Sequence, residues 1–199
     1  MRGEMTMRAV MAGKRLIARF AEAREGVAAV EFAMIVPLMV MLFIGSVEFS
    51  QAIGADRRVT QVASSTADLV ARARTTNKTE LEGILDIASK LMPAPAYDPT
   101  QLKITLVSVE ADINNAAATK VGWSCKLNGG VNSYTNGQAY TLPSGVTEKG
   151  DSVIVAEVEY NYVAPIFNEF LGGSFKMSEK FYLKPRLSAK VTYEGAACS

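Results

Sequence analysis

The distribution of apolar residues divides the chain into segments of different character. From Val27 to Val47 the sequence reads VAAVEFAMIVPLMVMLFIGSV, and Glu31 is its one charged residue. A helix of that length rises about 30 Å, enough to cross the apolar core of a bilayer. A secretory signal peptide, the competing interpretation, has a shorter apolar region followed by a small-x-small cleavage site, whereas Glu48 and Phe49 follow here. The pattern predicts a transmembrane helix over residues 27–53.

Helical periodicity continues beyond the apolar run. Apolar residues recur at mostly three- and four-residue steps as far as Leu69 and Val70, with polar and charged residues between them. We expect one helix from about Ala28 to about Arg74. Its first part would lie in the membrane and its second part would pack against a globular head. A rigid stalk that supports any other extracytoplasmic domain is the alternative.

The second half of the chain changes to strand patterns after one more helix. Asn77 fits an N-cap, with Glu80 three residues later, for a helix that Pro93 and Pro95 end near Met92. Apolar patterns then predict strands over 102–110, 119–126, 151–163, 175–183 and 186–193, with a short helix over 166–171. The predicted fold class is α+β, pilin-like, with the long N-terminal helix packed on a small antiparallel sheet.

Two features of the strand region bear on chemistry. Glu157 and Glu159 lie two positions apart on the same face of the 151–163 strand. We expect them to meet solvent and not to act as a catalytic pair. Residues 126–150 are rich in Gly and Asn, which is typical of turns, and Gly129-Gly130 and Asn136-Gly137 could each close a hairpin. This segment is either a plain loop or an exposed recognition surface.

The charge distribution indicates an orientation in the membrane. Residues 1–26 carry six Lys/Arg against three Glu, while the whole chain has a net charge of +1. Because basic residues favour the cytoplasmic side, we expect a cytoplasmic leader over 1–26 and an extracytoplasmic α+β domain over 54–199. Since no basic face is concentrated in the sequence, nothing indicates a nucleic-acid binder.

Composition narrows the chemistry further. The sequence contains no His, so a Ser–His–Asp triad is impossible and the commonest zinc ligand is missing. No Walker or dinucleotide-binding motif occurs, and we expect neither enzymatic activity nor a metal or cofactor. The two cysteines, Cys125 and Cys198, suit a disulfide in an oxidising compartment, with two unpaired buried thiols as the alternative.

Glu31 needs its own explanation, because an ionisable group in a membrane helix costs about 2.5–3.5 kcal/mol at the bilayer centre. One explanation is that it lies near enough to the interface to stay hydrated. The other uses its context: a basic leader, Gly26, and a Glu at the fifth position of an apolar helix resemble the type IV prepilin cleavage site. More narrowly, the motifs Ala29-Val30-Glu31-Phe32-Ala33, Pro37-Leu38 and Glu48-Phe49 resemble TadE-like pseudopilins of the tight-adherence (Tad/Flp) pilus system.

The resemblance implies a role in pilus assembly. A prepilin peptidase would cut between Gly26 and Val27, and Glu31 would pair with the new N-terminal amine of a neighbouring subunit. The implied protein is a minor pilin, single-pass in the inner membrane, with a cytoplasmic N-terminus and a periplasmic domain. Its implied partners are the prepilin peptidase, the major Flp pilin, other pseudopilins, the inner-membrane assembly platform and membrane lipid.

Two questions stay open at this point. One is whether the protein is incorporated into an extracellular pilus. The other is whether it is instead an unprocessed, membrane-anchored periplasmic binding or scaffold module, which would keep its N-terminus uncut and remain in the membrane.

Overall fold

The structure, a computed structural model, describes residues 25–92, 98–166, 168–169, 174–195 and 198. All but the last two residues of the predicted leader, and also Pro93 and Pro95, lie outside the described residues. The chain forms two compact units, Met1–Val47 and Glu48–Ser199. The elements follow in the order α1 (Glu25–Ala71), β1 (Thr75–Asn77), α2 (Lys78–Ser89), a 3-10 turn (Pro99–Gln101), β2 (Leu102–Ala111), β3 (Thr119–Leu127), β4 (Ser152–Val163), β5 (Ser174–Leu183) and β6 (Thr192–Glu194).

Helix α1 is the long helix that the sequence predicts. It is described from Glu25, three residues before the expected start, and ends three residues before the expected end, with Pro37 in its interior. Its apolar N-terminal part exposes large side chains on all sides; Phe32 is 68% exposed and Phe43 is 70% exposed. Among the described residues it is the one helix long and apolar enough to cross a membrane, which indicates membrane anchoring.

In the Glu48–Ser199 unit, the remainder of α1 and helix α2 bury one apolar face each. The buried side chains recur at helical spacing: Val59, Val62, Ala63, Ala67 and Val70 on α1, and Leu81, Leu85 and Ala88 on α2. Asn77 caps α2 as predicted, because its side-chain oxygen accepts the backbone N–H of Glu80 at 3.0 Å.

Four antiparallel strands form the main sheet, in the order β3-β2-β4-β5. Each strand lies within two residues of its predicted bounds, and the α+β class is confirmed. The central strands β2 and β4 are buried almost throughout, as expected for strands covered on both faces.

Separate apolar clusters cover the two faces of this sheet. On the helix face, Ile154, Ala156 and Val158 pack with the buried side chains of α1 and α2. On the other face, Val107, Val153 and Val155 pack with Tyr140, which is 8% exposed. The Gly- and Asn-rich segment between β3 and β4 therefore covers part of the sheet and is not a plain exposed loop.

The two predicted turns lie within this covering segment. Gly130 has φ +70°, and a Cβ there would lie 2.5 Å from the Thr105 hydroxyl oxygen, so this turn requires glycine. Gly137 turns the chain back beside β3, where the Val121 N–H donates to the Gln138 carbonyl at 2.8 Å.

The last predicted strand is largely wrong. Only Thr192–Glu194 is a strand, and it pairs in parallel with β1 instead of extending the antiparallel sheet. Pro185 has no N–H to continue the β5 ladder. Beyond it, the Arg186 N–H donates to the Ala71 carbonyl and the Ala189 carbonyl accepts from Ser152, so these backbone groups are used elsewhere. In the predicted short helix, Asn168 and Glu169 are helical, and Phe167, Phe170 and Leu171 lie outside the described residues.

Candidate functional site

The predicted cleavage site lies at the N-terminal end of the described part of α1. The Gly26–Val27 peptide bond belongs to the first described turn, directly before the apolar run. Apart from chain neighbours and the helix backbone, no heavy atom lies within 4 Å of the place that a Cβ on Gly26 would occupy. Val27 is 59% exposed. The peptide bond is accessible, and the low helix propensity of glycine makes this turn easy to unwind.

Glu31 follows one helical turn later. It lies four positions after Val27, so the two residues are on the same face of α1, about 6 Å apart along the helix axis. The side chain of Glu31 is exposed. Chemically, a carboxylate stands near the start of an otherwise apolar helix, open to a positive group from outside the chain.

Glu48, the second acidic residue of the motif, has a different environment. It is 5% exposed, and its Oε1 accepts the backbone N–H of Ile166, which follows β4. Helix α1 is therefore joined by a side-chain hydrogen bond to the connection that leads into β5. The sequence carries a signal for this burial, because Glu48, Ala52, Ala55 and Val59 succeed one another at four- and three-residue steps on the face that becomes buried.

A disulfide joins Cys125 of β3 to Cys198, with the two Cα atoms 4.8 Å apart. The pairing suggested by the cysteine count is therefore present, and the described residues include no free cysteine. Nearby, the Trp123 indole N–H donates to the Val191 carbonyl at 2.9 Å, and the Trp123 and Tyr193 rings lie 5.9 Å apart. These contacts hold the C-terminal tail against β3.

A polar cluster, made of one buried carboxylate and its hydrogen-bond donors, lies on the face of the sheet away from the helices. The sequence did not predict it. The Glu157 side chain, expected in solvent, is buried. Its Oε1 accepts from the Tyr134 hydroxyl at 2.8 Å, the Tyr140 hydroxyl at 2.9 Å and the Lys180 ammonium at 2.7 Å. Its Oε2 accepts from the Asn132 amide at 2.7 Å. Three of these donors come from the segment between β3 and β4, so Glu157 fastens that segment to the sheet.

The hydrogen bonds decide the charge state of this cluster. Burial would raise the pKa of Glu157, but the hydrogen bonds from Lys180, Asn132 and the two tyrosines outweigh it and lower the pKa below its ordinary value. Burial, and then the hydrogen bond to Glu157, raise the pKa of Tyr134 to about 12. Glu157 is therefore a buried anion whose charge is met by one cation and three neutral donors.

Alternation within β4 could not reveal this burial, because a half-exposed strand gives the same pattern. The available signal was the composition of the neighbouring segment, in which Tyr134 and Tyr140 are large side chains among turn residues. Glu159, two residues along, pairs with Lys176 at 2.7 Å near the surface, so the two acids have different partners. Within the described part of the chain, no group of three or more His, Cys, Asp or Glu residues is placed to hold a metal ion.

Comparison with known protein families gives a match that lies in the N-terminal part of the chain. Residues 26–68 match the model of the family described as TadE-like protein. No curated protein and no solved structure matches the chain significantly. The matched segment contains Gly26, Val27, Glu31 and Glu48, and it coincides with most of α1. The resemblance seen in the sequence is therefore confirmed over residues 26–68, which carry the TadE-like signature.

Proposed function

We propose that this protein is a minor pilin (pseudopilin) that is processed by a prepilin peptidase and takes part in assembling a Tad/Flp-type pilus. The observation that carries the proposal is a coincidence of boundaries. The TadE-like match begins at Gly26, and the apolar run begins at Val27, so the family signature starts where the apolar run starts. A scissile glycine belongs at such a junction, because the product then begins with the membrane helix itself.

Cleavage requires the peptidase to reach an extended backbone. Gly26 lowers the cost of unwinding the backbone there, because glycine has a low helix propensity, and its open surroundings leave space for an enzyme. Hydrolysis of the Gly26–Val27 bond creates an ammonium group at Val27 and removes the basic leader.

The amine created at Val27 provides a partner for the Glu31 carboxylate of a neighbouring subunit. An ammonium at the start of a membrane helix and a carboxylate one turn inside it are both costly in apolar surroundings, and pairing offsets the desolvation of each. When two such helices pack side by side with an axial offset of about one turn, roughly 6 Å, the amine of one lies level with Glu31 of the other. Glu31 then selects the axial position at which subunits join.

The remaining features fit an extracytoplasmic domain. Six basic residues precede the apolar run, which favours a cytoplasmic N-terminus and a periplasmic Glu48–Ser199 unit. The Cys125–Cys198 disulfide suits that oxidising compartment. The partners on this proposal are the prepilin peptidase, the major Flp pilin, other pseudopilins, the inner-membrane assembly platform and membrane lipid.

Gly26→Ala tests the processing step in the native host. N-terminal sequencing of the wild-type protein should begin at Val27, while the variant should keep its leader. Gly54→Ala is the matched control, because Gly54 lies in the same helix and also has open space around it, so both changes add one methyl group without a clash. If the wild-type protein remains at full length in cells with an active peptidase, the proposal is rejected in favour of an unprocessed membrane-anchored module.

Glu31→Gln tests the assembly step separately. The variant should still be cut and should still reach the membrane, yet pili should be lost or strongly reduced, because a neutral amide cannot neutralise the amine. Normal piliation with Gln at this position would reject the role assigned to the Glu31 charge.

A further inference from the structure

The Glu48–Ser199 unit exposes large apolar side chains around the end of the sheet where β4 leads into β5. Val163 is 40% exposed, Ile166 is 42% exposed and Phe175 is 62% exposed. Phe49 and Ile53, one turn apart on α1, are 68% and 40% exposed. We call these five residues the apolar rim. They are more than half of the large apolar side chains that this unit exposes among its described residues, so exposed apolar surface is concentrated there.

Contacts around Glu48 hold the members of the rim near one another. The Glu48 carboxylate accepts the backbone N–H of Ile166 and precedes Phe49 directly. Phe175 lies opposite Tyr162 in the β4–β5 ladder. Tyr162 itself is buried in the apolar cluster that includes side chains of α1. Through these contacts, Glu48 connects the α1 part of the rim to the part at the β4–β5 end of the sheet.

The covalent chain limits how far the rim can lie from the end of the apolar run. Val47 is the last residue of that run, and Glu48 is the next. A chain advances at most about 3.6 Å per residue, while the headgroup layer of a bilayer is roughly 5–8 Å deep. If the apolar run crosses the bilayer, Glu48 and the Ile166 amide bonded to it are held at the level of the headgroups, however the domain is oriented.

We propose that the apolar rim rests in the interfacial layer of an anionic bilayer, so that the domain contacts the membrane through Ile166 and Phe175 as well as through its anchor. This inference rests on the membrane anchoring in the proposed function. Large apolar side chains at that depth leave water, as amphipathic segments do at membrane surfaces. Arg57 and Arg58, exposed about two turns beyond Phe49, outnumber the exposed Asp56 beside them and leave a positive charge that attracts anionic headgroups.

Fluorescence quenching by lipid tests the contact on the full-length protein. Because the native cysteines are bonded to each other, an engineered cysteine is the one reactive thiol of a correctly folded variant. Ile166→Cys and Phe175→Cys are labelled with bimane in vesicles of phosphatidylcholine and phosphatidylglycerol in equal parts, with lipids brominated near the headgroup as quenchers. Neither change removes the Ile166 backbone donor. A single labelled thiol per chain verifies that the disulfide has formed.

Two further positions serve as controls. Leu42→Cys lies within the apolar run and reports the anchoring itself. Ile113→Cys is the matched control, since Ile113 is 75% exposed and follows β2 at the opposite end of the sheet from Phe175. We expect brominated lipid to quench the labels at positions 42, 166 and 175 several-fold more strongly than the label at position 113.

Two results would overturn the inference in distinguishable ways. Strong quenching at position 42 with quenching at 166 and 175 no greater than at 113 would reject the membrane contact and keep the anchor. If those two labels also had blue-shifted emission, a second copy or another protein would be the occupant of the rim. Absence of quenching at position 42 would reject the anchoring, and the membrane contact with it.

Discussion

Lys180 and Glu157 face each other across the β4–β5 ladder, and the ammonium nitrogen lies 2.7 Å from the carboxylate of a side chain that is only 1% exposed. The pair is asymmetric, because the Lys180 side chain keeps 44% of its surface in solvent. The lysine therefore supplies charge without complete desolvation, while Tyr134, Tyr140 and Asn132 complete the coordination of the carboxylate. This arrangement makes one acidic side chain the attachment point of a long covering segment.

Glu157→Gln should lower the free energy of unfolding by about 2 kcal/mol, because hydrogen bonds to a buried anion are replaced by weaker bonds to an amide that also brings donors of its own. Glu159→Gln is the control on the same strand; it breaks a surface pair with Lys176 and should cost less than about 0.5 kcal/mol. Urea unfolding in detergent, followed by the fluorescence of the single tryptophan, Trp123, measures both. Equal effects of the two changes would contradict the role of Glu157.

Acid should weaken the same attachment. The folded protein holds the pKa of Glu157 below its ordinary value of 4.5, so the unfolded chain takes up the proton first as the pH falls. The stabilisation is therefore complete above about pH 4.5 and is lost as the pH falls through the lower, folded value. Unfolding free energies measured from neutral to acidic pH should show this loss, and Glu157→Gln should flatten the slope. An unchanged slope in the variant would assign the acid sensitivity to other groups.

Tyr134 should produce the opposite dependence at high pH. Its pKa is raised from 10.0 to about 12 in the folded state, so the unfolded chain releases the proton first. The contribution of Tyr134 is complete below about pH 10 and is lost as the pH rises toward about 12. Burial and the charge of Glu157 also raise the pKa of Tyr140, so ultraviolet titration should place both tyrosines among the last to ionise. Tyr134→Phe should reduce the amplitude of the late ionisation by one phenolate, and an undiminished amplitude would show that Tyr134 does not contribute to it.

The sequence predicts this fold well where a pattern depends on local physics. The extent of α1, the Asn77 cap and the bounds of β2 to β5 follow from apolar periodicity and turn residues. The parallel pairing of β1 with β6 does not, because three-residue strands have too short a pattern and their pairing depends on where the tail is held by Cys198 and Trp123. Residues 75–77 and 192–194 are far apart in the chain, so their pairing depends on the rest of the fold and not on a local pattern.

For the candidate site, what the sequence reveals depends on whether the residues lie close together in the chain. Gly26, Val27 and Glu31 stay predictions of a contiguous motif, which the TadE-like match covers. Glu157 was misjudged because its burial depends on donors that lie about two dozen residues away in a segment with no periodic pattern. Alternation tells which face of a strand a residue is on, but not whether that face is covered.

Removal of the disulfide should loosen the C-terminal tail. Cys125 and Cys198 are separated by 73 positions, and closing a loop of that size restricts the unfolded chain by about 4 kcal/mol. The double variant Cys125→Ser and Cys198→Ser should lose up to about that much stability, and amides of residues 191–194 should exchange faster with deuterium. The α2 amides provide the internal control. Equal acceleration in α2 and the tail would show global instead of local loosening.

The two glutamates of the TadE-like signature should separate cleanly into an assembly residue and a folding residue. Glu48 is buried and bonded to the Ile166 amide, so Glu48→Ala should lower the free energy of unfolding by about 1–3 kcal/mol, whereas Glu48→Gln keeps an acceptor oxygen and should cost less.

Glu31 is exposed in the single chain, and its substitution should leave the stability of the domain unchanged. On the proposed function, piliation should respond in the opposite order: Glu31→Gln should reduce it, since the charge proposed to pair with the Val27 amine is lost, while Glu48→Gln keeps the contact that Glu48 makes. The informative comparison is therefore between two Gln variants that differ only in position. Loss of pili in Glu48→Gln at normal stability would mean that the Glu48 charge also acts between subunits, and the division of roles would be wrong.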